Sequence, residues 1–430
     1  MMRGTKSPMR QARAIKDRGE RRSRTLPRLR APVAGLLLSL LVLLSPDLTI
    51  APLSAVEPLH VPAPIERLDA PPSRIQPLDR ATPAARPAPP IAVVPQVDAA
   101  PFEAAIAAAR EAAGAFGITF AAVRNGELLW SGSVGRLRDG VTTLLPDDPL
   151  LIGSVTKTFV VAAILQLAEE GKLSLDDTVR DHLPAMSTIS TEITLRQLLD
   201  HTSGLADVFN DTTKTGLEQH PEHAWTTAEV FGTIHAPWYQ PGEGWAYANT
   251  NYYLLGLVIE HITGSKLKDE LQSRFFEPLD LDHTRVLTGA ADDGGPLAPA
   301  WATIFWASGG MTASAADLAR WGDGLYDGAI LSDASSGAML ALNRDNYGLG
   351  SQRIEVPGAS GFGHTGMLNT YTTLLVYLPK QDVTLALLVN RTEVDLGGML
   401  AARPPGGPSL LELVGVEAPK PQPSAEGTGG

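Results

Sequence analysis

No cysteine occurs anywhere in the 430 residues. Disulfide staples, thiolate catalysis and Cys-ligated zinc or iron–sulfur centres are therefore excluded by arithmetic. A chain of this size, 44% apolar, can rely on core burial instead, even as an exported protein. Other signatures are missing as well. No serine sits in a Gly-x-Ser-x-Gly elbow, no glycine loop is spaced to cradle phosphate, and the nine histidines show no His-Glu-x-x-His zinc spacing. Clustered basic residues are also lacking beyond Arg30. Residues 1–30 hold 11 Lys/Arg against Asp17 and Glu20, a balance of +9, so with −12 overall the remaining 400 residues carry −21. Such an acidic body is a poor match for a phosphate backbone, and nucleic acid is not an expected partner.

What is present begins with a leader. Its basic first part runs into "APVAGLLLSLLVLLS", residues 31–45, an uncharged stretch of signal-sequence length rather than a full membrane span. Residues 1–55 thus read as an export signal, either cleaved near Ala55 or retained as an anchor with its basic end inside. Arg21-Arg22 is compatible with a twin-arginine route. Residues 56–101 form a Pro/Ala-rich linker, and the stretch 52–101 holds 13 of the 34 prolines. Such a composition favours a semi-rigid, extended tether. The expected location is periplasmic, extracellular or anchored in the cell envelope. Residues 396–430, with "RPPGGP" and "PKPQPSAEGTGG", read as a disordered tail.

One globular unit, residues 102–395, remains. "PFEAAIAAAREAAG" predicts an amphipathic helix closed by glycine. In "ITFAAVRNGELLWSGSVG" two apolar runs flank Asn125-Gly126, a strong hairpin signal, and "TYTTLLVYLP" and "VTLALLVN" flank a second turn at "KQD". Strands at both ends of the unit with helices between them imply one mostly antiparallel sheet, an α+β fold.

Within that frame, "IGSVTKTFVVAAILQLAEEG" starts at Ile152 and sets Ser154 and Lys157 on one face at the mouth of an apolar helix. A helix N-terminus favours negative charge near a serine oxygen, and a desolvated lysine can act as its base. An N-cap serine beside a solvated lysine is the bland alternative. "PGEGWAYANTNYYLLGLVIEHITG" brings Tyr247 and Asn249 just ahead of an apolar helix expected from Tyr252. Read alone, Tyr247 could be a core aromatic and Asn249 a helix cap. "GFGHTGMLNTYTTLLVYLP" sets His364, Thr365 and Gly366 at the expected start of a strand, where a lone histidine is ordinarily structural.

In the order Ser-x-x-Lys, Tyr-x-Asn, His-Thr-Gly, the chain resembles the penicillin-recognising serine hydrolases. These comprise class C β-lactamases, D-alanyl-D-alanine carboxypeptidases of low molecular weight and related esterases. "LAEEGKLSLDDTVRDHLP", "ITLRQLLDHTSGLAD" and "ASGGMTASAADLARW" extend the resemblance over the body. It implies a five-stranded-type antiparallel sheet with helices on both faces plus a helical subdomain, and chemistry without metal or cofactor. Ser154 would be the acylated nucleophile and Lys157 its base. Tyr247 would be a general acid or base whose phenolate is favoured by cationic neighbours. Asn249 would hold substrate or orient Lys157. The backbone N–H groups of Ser154 and Met367 would form the oxyanion hole, with Thr365 and Gly366 lining the substrate. Gly366 would let the strand backbone approach closely.

The departure from the β-lactamase pattern is His364, which stands where those enzymes carry lysine. A group near neutrality recognises a carboxylate less well, although a protonated His364 would still face one. The body is also shorter than class C enzymes, implying trimmed loops. The expectation is therefore an exported serine hydrolase acting through an acyl-enzyme, foremost on D-alanyl-D-alanine wall peptides. An esterase or weak β-lactamase is the alternative within the fold. A non-catalytic descendant binding wall peptides or a partner protein is the alternative outside catalysis, and it would have no need of the base Lys157.

Overall fold

A computed structural model describes residues 97–417, apart from 185, 187–188, 190–191 and 291–296. The leader and nearly all of the proline-rich linker lie outside these residues. The body opens with helix α1 (Ala99–Ala113), capped by Asp98, slightly earlier than the expected domain start. Strands β1 (Gly117–Arg124) and β2 (Glu127–Gly135) follow as a hairpin. Its turn residues Asn125 and Gly126 both have positive φ, 51° and 77°, which matches the right-handed twist of the flanking strands.

Three short strands, β3 (Leu150–Leu151), β4 (Arg285–Val286) and β5 (Met311–Ala313), make a small sheet in the order β3-β5-β4. The main sheet adds β6 (Gln352–Val356), β7 (Ala359–Leu368), β8 (Tyr371–Leu378) and β9 (Val383–Val389). Its order is β2-β1-β9-β8-β7-β6, antiparallel throughout. The two terminal hairpins therefore meet through the pair β1/β9, as their positions at the ends of the unit imply. The sheet has six strands rather than five. The extra hairpin, β6/β7, also shifts His364–Gly366 from a strand start to the second half of β7.

Both faces of this sheet are covered, so its central strands are apolar on both sides. Ile118, Phe120 and Ala122 of β1 pack into one core layer, while Ala121 and Val123 face the other. That alternation is the two-residue period of a strand. The inner layer contains helices α2 (Thr156–Glu169), α3 (Asn249–Thr263), α4 (Pro299–Gly309) and α5 (Ala315–Tyr326). Helix α2 is buried nearly all round, from Phe159 to Leu165 on consecutive positions. A helix of that kind runs through a core rather than over it. Whatever side chain stands in its first turn is drawn inside with it.

The outer layer corrects the expectation of a loose tail. Residues 396–417 form helices α6 (Leu396–Ala401) and α7 (Leu410–Leu413). Leu400, Leu410, Leu411, Val414 and Val416 are buried with Phe102 and Ile106 of α1. Arg124 of β1 also donates to the Val414 carbonyl. The prolines and glycines of this segment shape its loops, and the aliphatic residues between them supply the burial. Each such side chain contributes about 1.5–3 kcal/mol when removed from water. Deleting residues 403–430 is therefore expected to lower the thermal midpoint by roughly 5 °C or more. A melting curve matching the full chain would return this segment to a loose tail.

Candidate active site

Ser154 lies in a short 3-10 turn, Gly153–Val155, that leads directly into α2. Against this turn runs the end of β7. A Cβ on Gly366 would sit 2.0 Å from the Ile152 carbonyl oxygen and 3.2 Å from the Ser154 nitrogen. One on Gly153 would sit 2.8 Å from the Met367 nitrogen, and Gly153 has φ +50°. Only glycine lets the two backbones close to this distance. The amide nitrogens of Ser154 and Met367 thus border the same narrow gap. Met367 turns its side chain outward, 60% exposed, at the edge of the site. Gly366→Ala must force these segments apart, and a loss of roughly 100-fold or more in kcat is expected if the two N–H groups stabilise an oxyanion. Activity within a fewfold of wild type would remove that pair from the chemistry.

Lys157 is fully buried, drawn inward by α2. Its Nζ donates to Ser154 Oγ at 3.1 Å, to Asn249 Oδ1 at 2.9 Å and to the Ser308 carbonyl at 2.6 Å. The last of these acceptors lies just beyond a break in α4, where Trp306 leaves helical geometry at φ 22°. The Lys157 ammonium also lies 4.8 Å and 5.4 Å from the ring centres of Tyr247 and Tyr252. Burial disfavours the charged form more than the carboxylate of Asp207 favours it, and Lys157 is lowered to about 7. An amine so poised is free of its proton for much of the time at neutral pH, within hydrogen-bond reach of a serine hydroxyl. That is the requirement for activating a nucleophile.

Tyr247 is brought into the same cluster, its ring centre 4.3 Å from that of His201 and 6.3 Å from that of His364. Its protonation runs opposite to the expected phenolate. Burial pushes its hydroxyl well above the usual phenol range, and the nearby Ser154 hydroxyl offsets only part of that. The cation that should have favoured ionisation, Lys157, is itself lowered to about 7 by the same burial and so carries only part of its charge near neutral pH. Tyr247 therefore holds its proton and is equipped as a donor. Within the protein its buried oxygen completes no hydrogen bond of normal geometry, leaving the hydroxyl available to a bound molecule.

Asn249 is the first residue of α3, so the helix starts earlier than Tyr252. Ala248 precedes it in extended conformation, and Asn249 spends its side chain on Lys157 and Asp207 rather than on capping. Thr365 donates through its backbone N–H and hydroxyl to Gln352 Oε1 at 3.1 and 3.2 Å, tying it to β6.

His364 departs furthest from expectation. It is 1% exposed, and both ring nitrogens are used by the protein. Nδ1 lies 2.5 Å from the Thr365 carbonyl, which only an N–H can satisfy, so Nε2, 3.1 Å away, accepts from the Tyr347 hydroxyl. Burial first, and Lys157 second, lower the imidazole to about 3. A neutral ring with both nitrogens engaged presents no cation to a substrate carboxylate.

Three residues in this cluster escaped the reading of the sequence. Asp207 binds Asn249, Tyr347 fixes His364, and the buried, neutral His201 underlies Tyr247. His201 and Asp207 lie within "HTSGLAD", a stretch whose family character is visible although no role attaches to either residue. Tyr347 carries no sequence signal at all.

Residues 102–402 match the family described as Beta-lactamase. The chain belongs to the β-lactamase family. Among curated relatives it is 28% identical over 282 residues to penicillin-binding protein 4 of Amycolatopsis lactamdurans, covering 57% of this chain and 72% of that one. It is 32% identical over 174 residues to protein flp of Staphylococcus aureus, covering 39% of this chain and only 34% of flp. Among solved structures, a D-stereospecific amidohydrolase from Streptomyces sp. aligns at a TM-score of 0.60 and 28% identity, over 69% of this chain and 98% of that one. The D-amino acid amidase of Ochrobactrum anthropi SV3, complexed with L-phenylalanine, aligns at a TM-score of 0.59 and 25% identity, over 68% and 91%. The six-stranded antiparallel sheet flanked by helices is the fold shared by this superfamily of serine hydrolases.

Proposed function

We propose that the chain hydrolyses an amide bond through an acyl-enzyme on Ser154, acting on D-configured peptides of the D-alanyl-D-alanine type found in cell walls. The observation that carries this is the contact between Lys157 Nζ and Ser154 Oγ, with the amine buried and lowered to about 7. Neutral Lys157 takes the serine proton as Oγ attacks the carbonyl carbon, and the oxyanion is received between the N–H groups of Ser154 and Met367. Tyr247 donates its proton to the leaving nitrogen as the C–N bond breaks and regains one from the Lys157 ammonium. Water then releases the acyl group by the reverse proton path. Two structural relatives, a D-stereospecific amidohydrolase and a D-amino acid amidase, support the D-configured substrate.

A second reading is favoured by His364. With a neutral imidazole occupied by Tyr347 and Thr365, the site gains little from a terminal carboxylate, which suits neutral amides or esters. Comparing kcat/KM for an acyl-D-Ala-D-Ala acid, its C-terminal amide and a nitrophenyl ester separates the two. Carboxypeptidase action requires the acid to exceed the amide by about tenfold or more. A ratio at or below one assigns the neutral substrates. No turnover of any of the three, with no covalent labelling, would leave a non-catalytic binding protein.

Export belongs to the same proposal, on the strength of the basic leader and the apolar run at 31–45. Cell fractionation tests it. Recovery of the full chain in the cytosol alone would overturn it.

A further inference from the structure

Asp207 lies outside the reacting groups, yet it is bonded on two sides to Asn249, the residue that touches the base Lys157. Its Oδ1 accepts from the backbone N–H of Asn249 at 3.1 Å and from that of Phe209 at 3.0 Å. Its Oδ2 accepts from Asn249 Nδ2 at 3.1 Å. The opposite end of the same amide, Oδ1, receives Lys157 Nζ at 2.9 Å. An asparagine amide has one donating and one accepting end, and nothing in its own shape decides which way it faces. A carboxylate can only accept. We infer that Asp207 is a positioning residue for the base, holding the Asn249 amide in the one orientation that turns its carbonyl toward Lys157. This inference rests on the reading of Lys157 as the base of Ser154.

The electrostatics agree with that geometry. Burial pushes the Asp207 carboxyl up, while the Phe209 N–H, the Lys157 charge and the two Asn249 donors oppose it and favour the carboxylate. Its charge in turn is the one influence that raises Lys157 against burial. The other groups facing Lys157 are Ser154, Tyr247, Tyr252, His201 and His364. Both histidines are lowered by burial, and Tyr247 and Tyr252 are raised by it, so all four are neutral around pH 7. Asp207 is the sole anion acting on Lys157 among the described residues.

The hydrogen-bond pattern dictates a specific outcome for Asp207→Asn. The two backbone N–H groups still demand an oxygen, so the new amide must turn its NH2 toward Asn249. Asn249 then flips to offer its carbonyl there, and its own NH2 faces Lys157. Lys157 loses an acceptor and an anionic neighbour together, and both losses favour its neutral form. Asn249→Asp in the same chain restores the pattern, with one carboxylate oxygen accepting from the amide introduced at position 207 and the other from Lys157, now in direct contact with the charge.

The test is a pair of pH profiles of kcat/KM on a nitrophenyl ester, with the Lys157 Cε resonance of 13C-lysine-labelled protein followed over the same range. For D207N we expect a loss of about 100-fold and an acid limb moved down by roughly one pH unit. For D207N/N249D we expect recovery of about tenfold or more and an acid limb moved above that of wild type. Should D207N fail to fold, the upward shift in the double variant carries the test alone. Unmoved limbs and an unmoved Cε titration in an active protein would overturn the positioning role. A wild-type enzyme with no ester activity but with D207N shifting the Cε titration would instead count against the hydrolase reading and leave the positioning role standing.

Discussion

Replacing Ser154 by alanine is expected to abolish covalent labelling by penicillin or a fluorophosphonate and to lower turnover by roughly four or more orders of magnitude. The size of the effect follows from what is lost. Without Oγ no acyl bond can form, and neither Lys157 nor Tyr247 has a proton to move. Only binding and the two backbone N–H groups remain, which leave a residual rate. The fold should be nearly indifferent to the change, because Lys157, which donates to the Ser154 hydroxyl, keeps Asn249 and the Ser308 carbonyl as acceptors. Measuring turnover and thermal midpoint together separates a lost nucleophile from a lost structure. An alanine variant that still turns over ester at a tenth of the wild-type rate would place the nucleophile elsewhere.

Lys157→Met should reduce turnover nearly as far, since base and nucleophile act as one unit and their losses do not add. Its effect on stability should have the opposite sign. The Lys157 ammonium is lowered from 10.5 to about 7 in the fold, so the unfolded chain binds its proton more tightly. By linkage, stability is then diminished as pH falls from about 10.5, with the full penalty present below about 7. Methionine fills a similar volume without a charge to desolvate. The variant should therefore melt higher than wild type, with the widest gap below pH 7 and little gap near pH 10. A variant that is both inactive and less stable at pH 6 would show that Lys157 is held by its three acceptors more strongly than burial opposes it. The wild-type activity should show the matching limb, with kcat/KM falling as pH drops below about 7 and Lys157 takes up its proton.

This trade of stability for reactivity explains why some of the site was legible in the sequence and some was not. Ser154, Lys157 and the apolar run behind them are contiguous, so a buried base could be weighed there against a solvated lysine, and the order of the three motifs decided between them. The Asn125-Gly126 turn and the β8/β9 hairpin were equally local, set by turn chemistry and two-residue alternation. The β6/β7 hairpin was hidden because "QRIEVPGASGFG" mixes charges, a proline and three glycines, and the glycines serve close backbone packing rather than strand propensity. A Cβ at Gly361 or Gly363 would lie 1.9 Å from a carbonyl oxygen of β8. Missing that hairpin put His364 at the wrong end of its strand and left its partner Tyr347 unread.

Electrostatic states were less legible than positions. A cation beside Tyr247 suggests a phenolate, but the sequence cannot show that Lys157 and Tyr247 share one desolvated enclosure in which both lose charge. Burial at that scale emerges only when α2, α3 and β7 are packed together. The same applies to Asp207, a loop residue whose sequence neighbours give no hint of Asn249, 42 positions away. The tail misled for a simpler reason. Six of the fifteen residues 403–417 are proline or glycine, while five aliphatic residues, Leu410, Leu411, Leu413, Val414 and Val416, decide whether the segment packs.

The central claim, an acyl-enzyme on Ser154, is tested most directly by locating the adduct. Intact protein exposed to penicillin or a fluorophosphonate is digested and sequenced by tandem mass spectrometry. The account predicts a single added mass per chain, on Ser154, formed more slowly below pH 7 and absent from Ser154→Ala. An adduct on any other residue, or one of equal yield in the alanine variant, would contradict it.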